Sequence, residues 1–189
     1  MFDRLRARMF NRGASRSSSR PDRILSSLGI KTGARVADYG SGGGYFTMRF
    51  ARTVGPEGTV YAVDVNPSFL AVIKDAANSS GPKNIETVPV SEIAARIPTG
   101  SLDLVFCRDV YHHLLDRTSL FKTLARYLKP EGRLAIIDWL PNAGRFSGPP
   151  AGHRTAPETI IREMVAAGFS LSERPDILAR QSFTIFKLR

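Results

Sequence analysis

The most informative part of the sequence is Asp38-Tyr39-Gly40-Ser41-Gly42-Gly43-Gly44-Tyr45-Phe46, which places four glycines within five positions between two patterned segments. The run before it, 35–39, predicts a strand, and the run after it, 45–54, predicts an amphipathic helix. Glycines permit positive φ and leave room for a ligand, and the first turn of a helix presents unpaired N–H groups. This order predicts an α/β domain with a ligand site at the turn; a simple tight turn is the alternative.

Short strands alternate with helices along the rest of the chain, as in a parallel sheet covered by helices on both faces. Further strands are predicted at 59–64, 84–88, 102–107 and 133–138, and further helices at 22–28, 67–77, 116–128 and 158–167. Two alternating runs at 169–173 and 182–188 predict a closing antiparallel pair. The predicted fold is a Rossmann-like, doubly wound, mainly parallel seven-stranded sheet with a C-terminal antiparallel strand pair.

The length of 189 residues and a hydrophobic share of 42% predict one folded domain, which we place at 21–189. A single cysteine, Cys107, excludes an internal disulfide and a multi-cysteine metal cage. No apolar run approaches the roughly 20 residues that span a bilayer. We therefore expect a cytoplasmic protein, with a peripheral position at a membrane surface as the alternative. Residues 141–157 hold four prolines and three glycines and predict a long irregular loop.

Residues 1–20 form a basic N-terminal arm that carries half of the formal net charge of +10. One interpretation is a solvated, flexible tail, and an organellar presequence is a weaker one. Another is contact with the phosphates of an anionic membrane or of RNA. Apolar residues near helical spacing favour a membrane-surface helix. The arginines are Arg4, Arg6, Arg8, Arg12, Arg16 and Arg20, and the apolar residues are Phe2, Leu5, Met9 and Phe10.

The residues around the glycines separate three classes of nucleotide site. A P-loop needs Lys followed by Ser or Thr after its last glycine, but Tyr45 follows Gly44. A dinucleotide fingerprint needs a small residue where Tyr45 or Thr47 stands. Asp38 would repel a pyrophosphate and attract an ammonium group, and Asp64 is spaced to accept hydrogen bonds from ribose hydroxyls. A nucleoside joined to an amino acid without phosphate meets both conditions.

Four segments together resemble the successive motifs of class I S-adenosylmethionine-dependent methyltransferases. The resemblance covers about residues 21–189 in the right order, and it implies the fold described above. The segments are Val36-Ala-Asp-Tyr-Gly-Ser-Gly-Gly-Gly44, Tyr61-Ala-Val-Asp64, Leu102-Asp-Leu-Val-Phe106 with His112-His113-Leu114, and Leu128-Lys-Pro-Glu-Gly-Arg-Leu-Ala-Ile-Ile-Asp138.

The resemblance implies S-adenosylmethionine as the cofactor, with its methionine part at the turn and its ribose at Asp64. Adenine recognition would fall near Ser91 or Glu92, where the family's common Gly-Asp-Ala sequence is absent. The cofactor-binding residues implied in this way are Asp38, Gly40, Ser41, Gly42, Gly44, Asp64, Val65, Ser91 and Asp109.

Methyl transfer from a sulfonium needs an aligned nucleophile, and a base only if the acceptor is protonated. The segment after the fourth predicted strand supplies the candidate base, because Tyr111, His112 and His113 follow one another there. The alternative for each histidine is a structural hydrogen bond. His153 in the proline-rich loop is a further candidate. No metal is expected, because Trp139 stands where a catechol-type metal site would need Asn.

The acceptor is predicted to be a small molecule, with a phospholipid second and RNA third. An arsenic acceptor is excluded because it would require several cysteines. Asp138, at the end of the fifth predicted strand, is either a structural carboxylate or a substrate contact. A non-catalytic S-adenosylmethionine-binding protein is the remaining alternative, and the sequence leaves the oligomeric state open.

Overall fold

The computed structural model describes residues 2–79, 81–144 and 148–189 of the chain. Its centre is a seven-stranded sheet with the order β3-β2-β1-β4-β5-β7-β6. The first five strands pair in parallel, whereas β7 is antiparallel to both β5 and β6. The strands are β1 Arg35–Tyr39, β2 Thr59–Asp64, β3 Ile85–Pro89, β4 Leu102–Arg108, β5 Leu128–Trp139, β6 Phe169–Glu173 and β7 Gln181–Leu188. The predicted fold class is confirmed.

Helices connect these strands, and most of them begin and end at sequence signals. Pro21 opens α2 and Pro157 opens α7, while Gly29 closes α2 in the left-handed conformation. Asn66 accepts a hydrogen bond from the Ser68 amide, as expected of a residue that caps α4. The helices are α1 Phe2–Ala14, α2 Pro21–Leu28, α3 Tyr45–Val54, α4 Pro67–Ser79, α5 Ile93–Arg96, α6 Arg117–Ala125 and α7 Pro157–Ala166.

Two hydrophobic layers cover the sheet because its central strands are buried on both faces. On one face, Phe46 and Phe50 of α3 pack against Phe106 of β4 with ring centroids 5.1 and 5.0 Å apart. On the other face, Phe121 of α6 and Met164 of α7 join the alternate side chains of the same strands. The carboxyl ends of β1 and β4 lie side by side where the strand order reverses, which is where open α/β sheets bind ligands.

Several element boundaries differ from the sequence-based expectation. Strand β5 begins at Leu128 rather than at residue 133, because Leu128 pairs with Leu102 before a bulge. Helix α6 therefore ends at Ala125. Short 3-10 turns occupy Val90–Glu92, Tyr111–His113 and Ala151–His153, and none of them was predicted.

The first part of the N-terminal arm is helical and contacts the rest of the fold. Residues 2–14 form α1, in which Ala7 is fully buried. The helix packs against α3 and α4, and the rings of Phe10 and Phe69 meet edge to face at 5.7 Å. Within the described residues, no helix has the length and apolarity needed to cross a membrane.

Candidate functional site

The glycine-rich turn between β1 and α3 uses its own backbone donors to fix its shape. The amides of Gly40 and Ser41 both donate to the carbonyl of Val63, at 2.8 and 3.0 Å. The Gly42 amide donates to Asp64 Oδ2 at 2.8 Å, and the Gly44 amide donates to the Ser41 carbonyl at 2.9 Å. A phosphate cradle needs free N–H groups, but these four already have acceptors. These four amides are therefore not arranged as a phosphate-binding site.

Asp38, the residue that the sequence places before the turn, is a buried carboxylate at the end of β1. Thr47 Oγ1 donates to its Oδ2 atom at 2.6 Å. Burial raises the pKa of Asp38 to about 7, against the opposing effect of the Thr47 hydrogen bond, and the nearby charge of Asp64 adds to the rise. A cationic ligand beside Asp38 would favour its ionised form.

Asp64, at the end of β2, joins the turn to the next helix. Its Oδ2 atom accepts from Gly42, and its Oδ1 atom accepts from the Asn66 amide at 2.9 Å. A carboxylate offers about four lone-pair sites, so two of them are left for a ligand. Val65 follows Asp64 and is 81% exposed. This apolar side chain lies open at the same edge of the sheet.

Close packing explains two of the glycines. A Cβ atom on Gly40 would lie 2.8 Å from Val110, the residue after Asp109, and Gly40 has a φ of 77°. A Cβ atom on Gly44 would lie 2.6 Å from Ile73 Cγ1, and Gly44 has a φ of 83°. Both positions need glycine for its backbone conformation and for its missing side chain.

Substitution of Gly44 by Ala should therefore lower the free energy of unfolding by about 2–4 kcal/mol, the sum of left-handed strain and overpacking. Gly29→Ala is the matched control, because Gly29 has a φ of 53° but a Cβ atom there would have no neighbour within 4 Å. We expect it to cost only about 1 kcal/mol. Urea titrations of both variants measure the difference; equal losses would exclude the Ile73 contact as a cause.

The end of β4 carries a second polar group at the same edge of the sheet. Asp109 has a φ of 57°, which is uncommon for a residue other than glycine. Gln181 of β7 donates its Nε2 to Asp109 Oδ1, and Arg108 Nη2 donates to Gln181 Oε1 at 3.0 Å. The guanidinium of Arg108 lies over the ring of Phe46, 5.0 Å from its centroid. These contacts hold Asp109 in its unusual conformation.

The two serines that are predicted to bind the cofactor have different surroundings. Ser41 is buried in the turn, and its Oγ atom has no hydrogen-bond partner among the described residues. An unsatisfied buried hydroxyl needs an explanation, and a bound ligand would supply the partner. Ser91 lies in the exposed 3-10 turn Val90–Glu92 that follows β3 at the edge of the sheet.

The histidine pair lies at the end of β4, next to the end of β5. His112 Nδ1 is 2.7 Å from Asp138 Oδ1, and the His112 amide donates to Asp138 Oδ2 at 2.8 Å. Asp138 is fully buried, so this pairing fixes the ring of His112. His113 is exposed, and its ring centroid is 4.0 Å from that of His112. Partial burial and the neighbouring His112 lower the pKa of His113 against the opposing effect of Asp138, and His153 adds a smaller lowering effect.

Tyr111 is not placed as the sequence-based hypothesis requires of a base. Its side chain is fully buried against Phe121 and donates its hydroxyl proton to Glu163. Burial and this hydrogen bond raise the pKa of Tyr111 well above its ordinary value. The guanidinium of Arg117 lies 4.7 Å from the ring centroid. Tyr111 thus joins the segment after β4 to α6 and α7, and its position is that of a structural residue.

The proline-rich segment 141–157 includes residues 145–147, which lie outside the described residues, so a lid there stays a hypothesis. Arg154 draws the described parts together: its Nε donates to the Pro149 carbonyl and its Nη2 to the Gly144 carbonyl, both at 2.9 Å. His153 ends the 3-10 turn that precedes this arginine.

Helix α1 crosses the glycine turn. Asn11 Nδ2 donates to the Gly43 carbonyl at 2.8 Å, and a Cβ atom on Gly43 would lie 2.3 Å from the Ala7 carbonyl oxygen. The six arginines of the arm, which are predicted to contact phosphates, are all exposed. Arg4 pairs with Asp75 of α4 at 3.2 Å.

Sequence reasoning missed several residues that shape this region. Thr47 faces back toward β1 from the first turn of α3, a position that the helical period alone could have indicated. Nothing in the sequence indicated Gln181 or Asn11, because each meets its partner only through distant packing.

Comparison with known proteins agrees with this geometry. The family described as "Methyltransferase domain" matches this chain over residues 37–136. Ubiquinone/menaquinone biosynthesis C-methyltransferases from Hahella chejuensis and Pasteurella multocida are 33% and 31% identical over 112 residues, or 59% of this chain. The chain spans less than half of their length, 45% and 42% respectively.

A solved structure extends the match to most of the chain. The crystal structure of an S-adenosylmethionine-dependent methyltransferase from Aquifex aeolicus is 27% identical, with a TM-score of 0.83 over 89% of each chain. The family match covers more than half of this chain and includes the turn, Asp64, Asp109 and both histidines. The protein is thus a member of the class I S-adenosylmethionine-dependent methyltransferases.

Proposed function

We propose that this methyltransferase acts on a small-molecule acceptor at the carboxyl ends of β1, β4 and β5. The observation that carries the proposal is the buried carboxylate of Asp38 beside a turn in which the amides of Gly40, Ser41, Gly42 and Gly44 already have acceptors. That combination favours a cationic amino-acid group over a phosphate. The exposed imidazole of His113, with its lowered pKa, also favours a site in which the protein accepts a proton from the substrate.

The residues around the turn fit S-adenosylmethionine by their chemistry. We assign Asp38 to the ammonium group, and Ser41, whose hydroxyl has no partner among the described residues, to the carboxylate. Asp64 keeps lone pairs for the ribose hydroxyls. Gly40, Gly42 and Gly44 form the turn itself. We assign Val65 and Ser91, which follow β2 and β3, to the side of the nucleoside, and Asp109, which follows β4 on the other side of β1, to the side of the methyl group.

When bound, S-adenosylmethionine supplies a methyl group on a positively charged sulfur. The transfer replaces one proton of the acceptor by this methyl group, and we assign that proton to the imidazole of His113. The lowered pKa keeps His113 neutral near pH 7, so that it can accept a proton. Asp138 fixes His112, and the ring of His112 supports His113 from one side. His112 is therefore a positioning residue.

The acceptor that we favour is a small ring compound methylated on carbon. The support is the name of the two relatives, C-methyltransferases of ubiquinone and menaquinone biosynthesis. A ring hydroxyl is a poor donor of electrons until it loses its proton, so such an acceptor needs a base such as His113. A phospholipid acceptor, an RNA acceptor and a non-catalytic cofactor-binding role are the competing outcomes.

The test is an acceptor panel with methyl-labelled S-adenosylmethionine. We expect S-adenosylhomocysteine and labelled product with small hydroxylated aromatic compounds, and none with phospholipid vesicles or single-stranded RNA. The variant Asp38→Asn serves as the low-activity control, because we expect it to bind the cofactor about 100-fold more weakly. Label transferred only to RNA or only to phospholipid would contradict the proposed acceptor. Tight cofactor binding with no product across the panel would indicate the non-catalytic role.

A further inference from the structure

Helix α1 presents an apolar stripe away from the protein. Leu5 and Met9 are one turn apart and therefore share a face, and they are 57% and 64% exposed. Ala7 and Asn11 occupy the opposite face, which rests on the glycine turn. An amphipathic helix in a globular protein normally turns its apolar residues toward the core. Here Leu5 and Met9 point toward the solvent instead.

Arginines flank this stripe on both sides. By helical geometry, Arg8 and Arg12 lie on one side of Leu5 and Met9, and Arg6 lies on the other. Arg6 has Asp3 at 3.9 Å, whereas Arg8 and Arg12 have no carboxylate partner in the part of the chain that the structure describes. Exposed cations beside exposed apolar side chains therefore form one continuous surface, which we call the α1 outer face: Leu5, Arg6, Arg8, Met9 and Arg12.

We propose that the α1 outer face docks on an anionic phospholipid bilayer. The apolar side chains match the acyl boundary, and the arginines match the phosphates at the level of the headgroups. RNA would use the arginines but has no need of an aliphatic stripe. The combination of both kinds of group on one helix face favours the bilayer.

The docking surface is joined to the cofactor turn by the same helix. Phe10 lies against Phe69, and its ring would come within 3.5 Å of a Cβ atom placed on Gly42, while Asn11 holds the Gly43 carbonyl. A bilayer bound to the outer face would therefore lie one helix diameter, about 10 Å, from the turn. This proposal goes beyond the proposed acceptor, and it is tested without cofactor or acceptor so that each can fail separately.

The experiment is co-sedimentation of the full chain with vesicles of phosphatidylglycerol and phosphatidylcholine, compared with vesicles of phosphatidylcholine alone. We expect binding to the anionic vesicles that is at least tenfold stronger than to the neutral ones and that falls with salt. The double variant Arg8→Gln/Arg12→Gln should bind about 30-fold more weakly, at about 1 kcal/mol per arginine. The double variant Leu5→Gln/Met9→Gln should lose at least tenfold while keeping its net charge.

Matched controls lie elsewhere on the surface. Arg52→Gln/Arg126→Gln removes two exposed arginines, and Leu115→Gln/Leu171→Gln removes two exposed leucines. Both should bind vesicles like the parent chain, and circular dichroism shows whether each variant is folded. Parent-like vesicle binding by Leu5→Gln/Met9→Gln would overturn the proposal. Equal losses in the control variants, or binding of a 20-nucleotide single-stranded RNA in preference to anionic vesicles, would overturn it as well.

Discussion

Asp38→Asn is expected to weaken binding of S-adenosylhomocysteine by about 100-fold or more, because it removes the buried charge that we assign to the ligand's ammonium group. Truncating one partner of a buried charge pair costs about 2–5 kcal/mol. Isothermal titration calorimetry measures the change. Asp103→Asn is the control, since Asp103 lies at the opposite end of β4 and pairs with Lys129 at 2.6 Å. It should leave the affinity unchanged.

The same substitution should stabilise the ligand-free protein. The pKa of Asp38 is about 7 in the fold against an ordinary value of 3.8, so the folded state holds its proton more tightly than the unfolded chain does. The contribution of the Asp38 carboxyl to the free energy of unfolding is fully present below pH 4 and is lost as the pH rises through 7. At pH 8, Asp38→Asn should raise the free energy of unfolding by about 2–4 kcal/mol, and at pH 4 by almost nothing.

The proton that Asp38 releases when the ligand binds provides an independent test of its contact with the ammonium group. Near pH 7, roughly half of the Asp38 carboxyls carry a proton in the free protein, and an ammonium group bound beside them would expel it. Titrations in phosphate and in Tris should therefore give different apparent enthalpies of binding, and Thr47→Val should move the effect to higher pH. Identical enthalpies in the two buffers would mean that no ammonium group meets Asp38.

His113→Ala is expected to lower kcat by about 100- to 1000-fold while leaving the affinity for S-adenosylhomocysteine unchanged, since loss of a general base typically costs this much. In the parent chain, kcat at saturating cofactor should rise with pH through a value below 6.5, because the pKa of His113 is lowered. This rise of kcat with pH should be absent in His113→Ala, and added imidazole should restore part of the rate. Full activity without His113 would refute its assignment as the base.

His112→Ala separates positioning from proton transfer. The substitution removes one hydrogen-bond partner of the buried Asp138, so it should lower the free energy of unfolding by about 1–3 kcal/mol. His113→Ala should cost little stability, because His113 is exposed. We therefore expect His112→Ala to lose both stability and rate, and chemical denaturation of the two variants makes the comparison.

Local patterns predicted the centre of the fold. Strands β1 and β2 and helix α3 begin and end where the apolar periods and glycines indicated. The start of β5 could not be predicted in this way, since Lys129-Pro130-Glu131-Gly132 is typical of a turn and only the pairing of Leu128 with Leu102 makes it a strand. Distant pairing overrides local propensity at such positions.

The candidate site was predictable only where its residues lie at the ends of strands or in the turns that directly follow them. Asp38, Asp64 and the histidines satisfy that condition. Helix α1 does not, because it meets the fold through the small Ala7, the polar Asn11 and one edge of Phe10, a set that has no apolar period. The sequence suggested Tyr111 as a base because its neighbours in sequence do not reveal that its hydroxyl donates a hydrogen bond to Glu163.

The two hydrogen bonds of the Gln181 side chain also bear on the order of biosynthesis. Strand β7 leaves the ribosome after β5 and β6, and it must insert between them. A nascent chain that stops before residue 181 already contains the glycine turn, but it lacks the amide that bonds both Asp109 and Arg108. Non-local strand pairing of this kind forms slowly. The end of β4 is therefore completed only after β7 has been made.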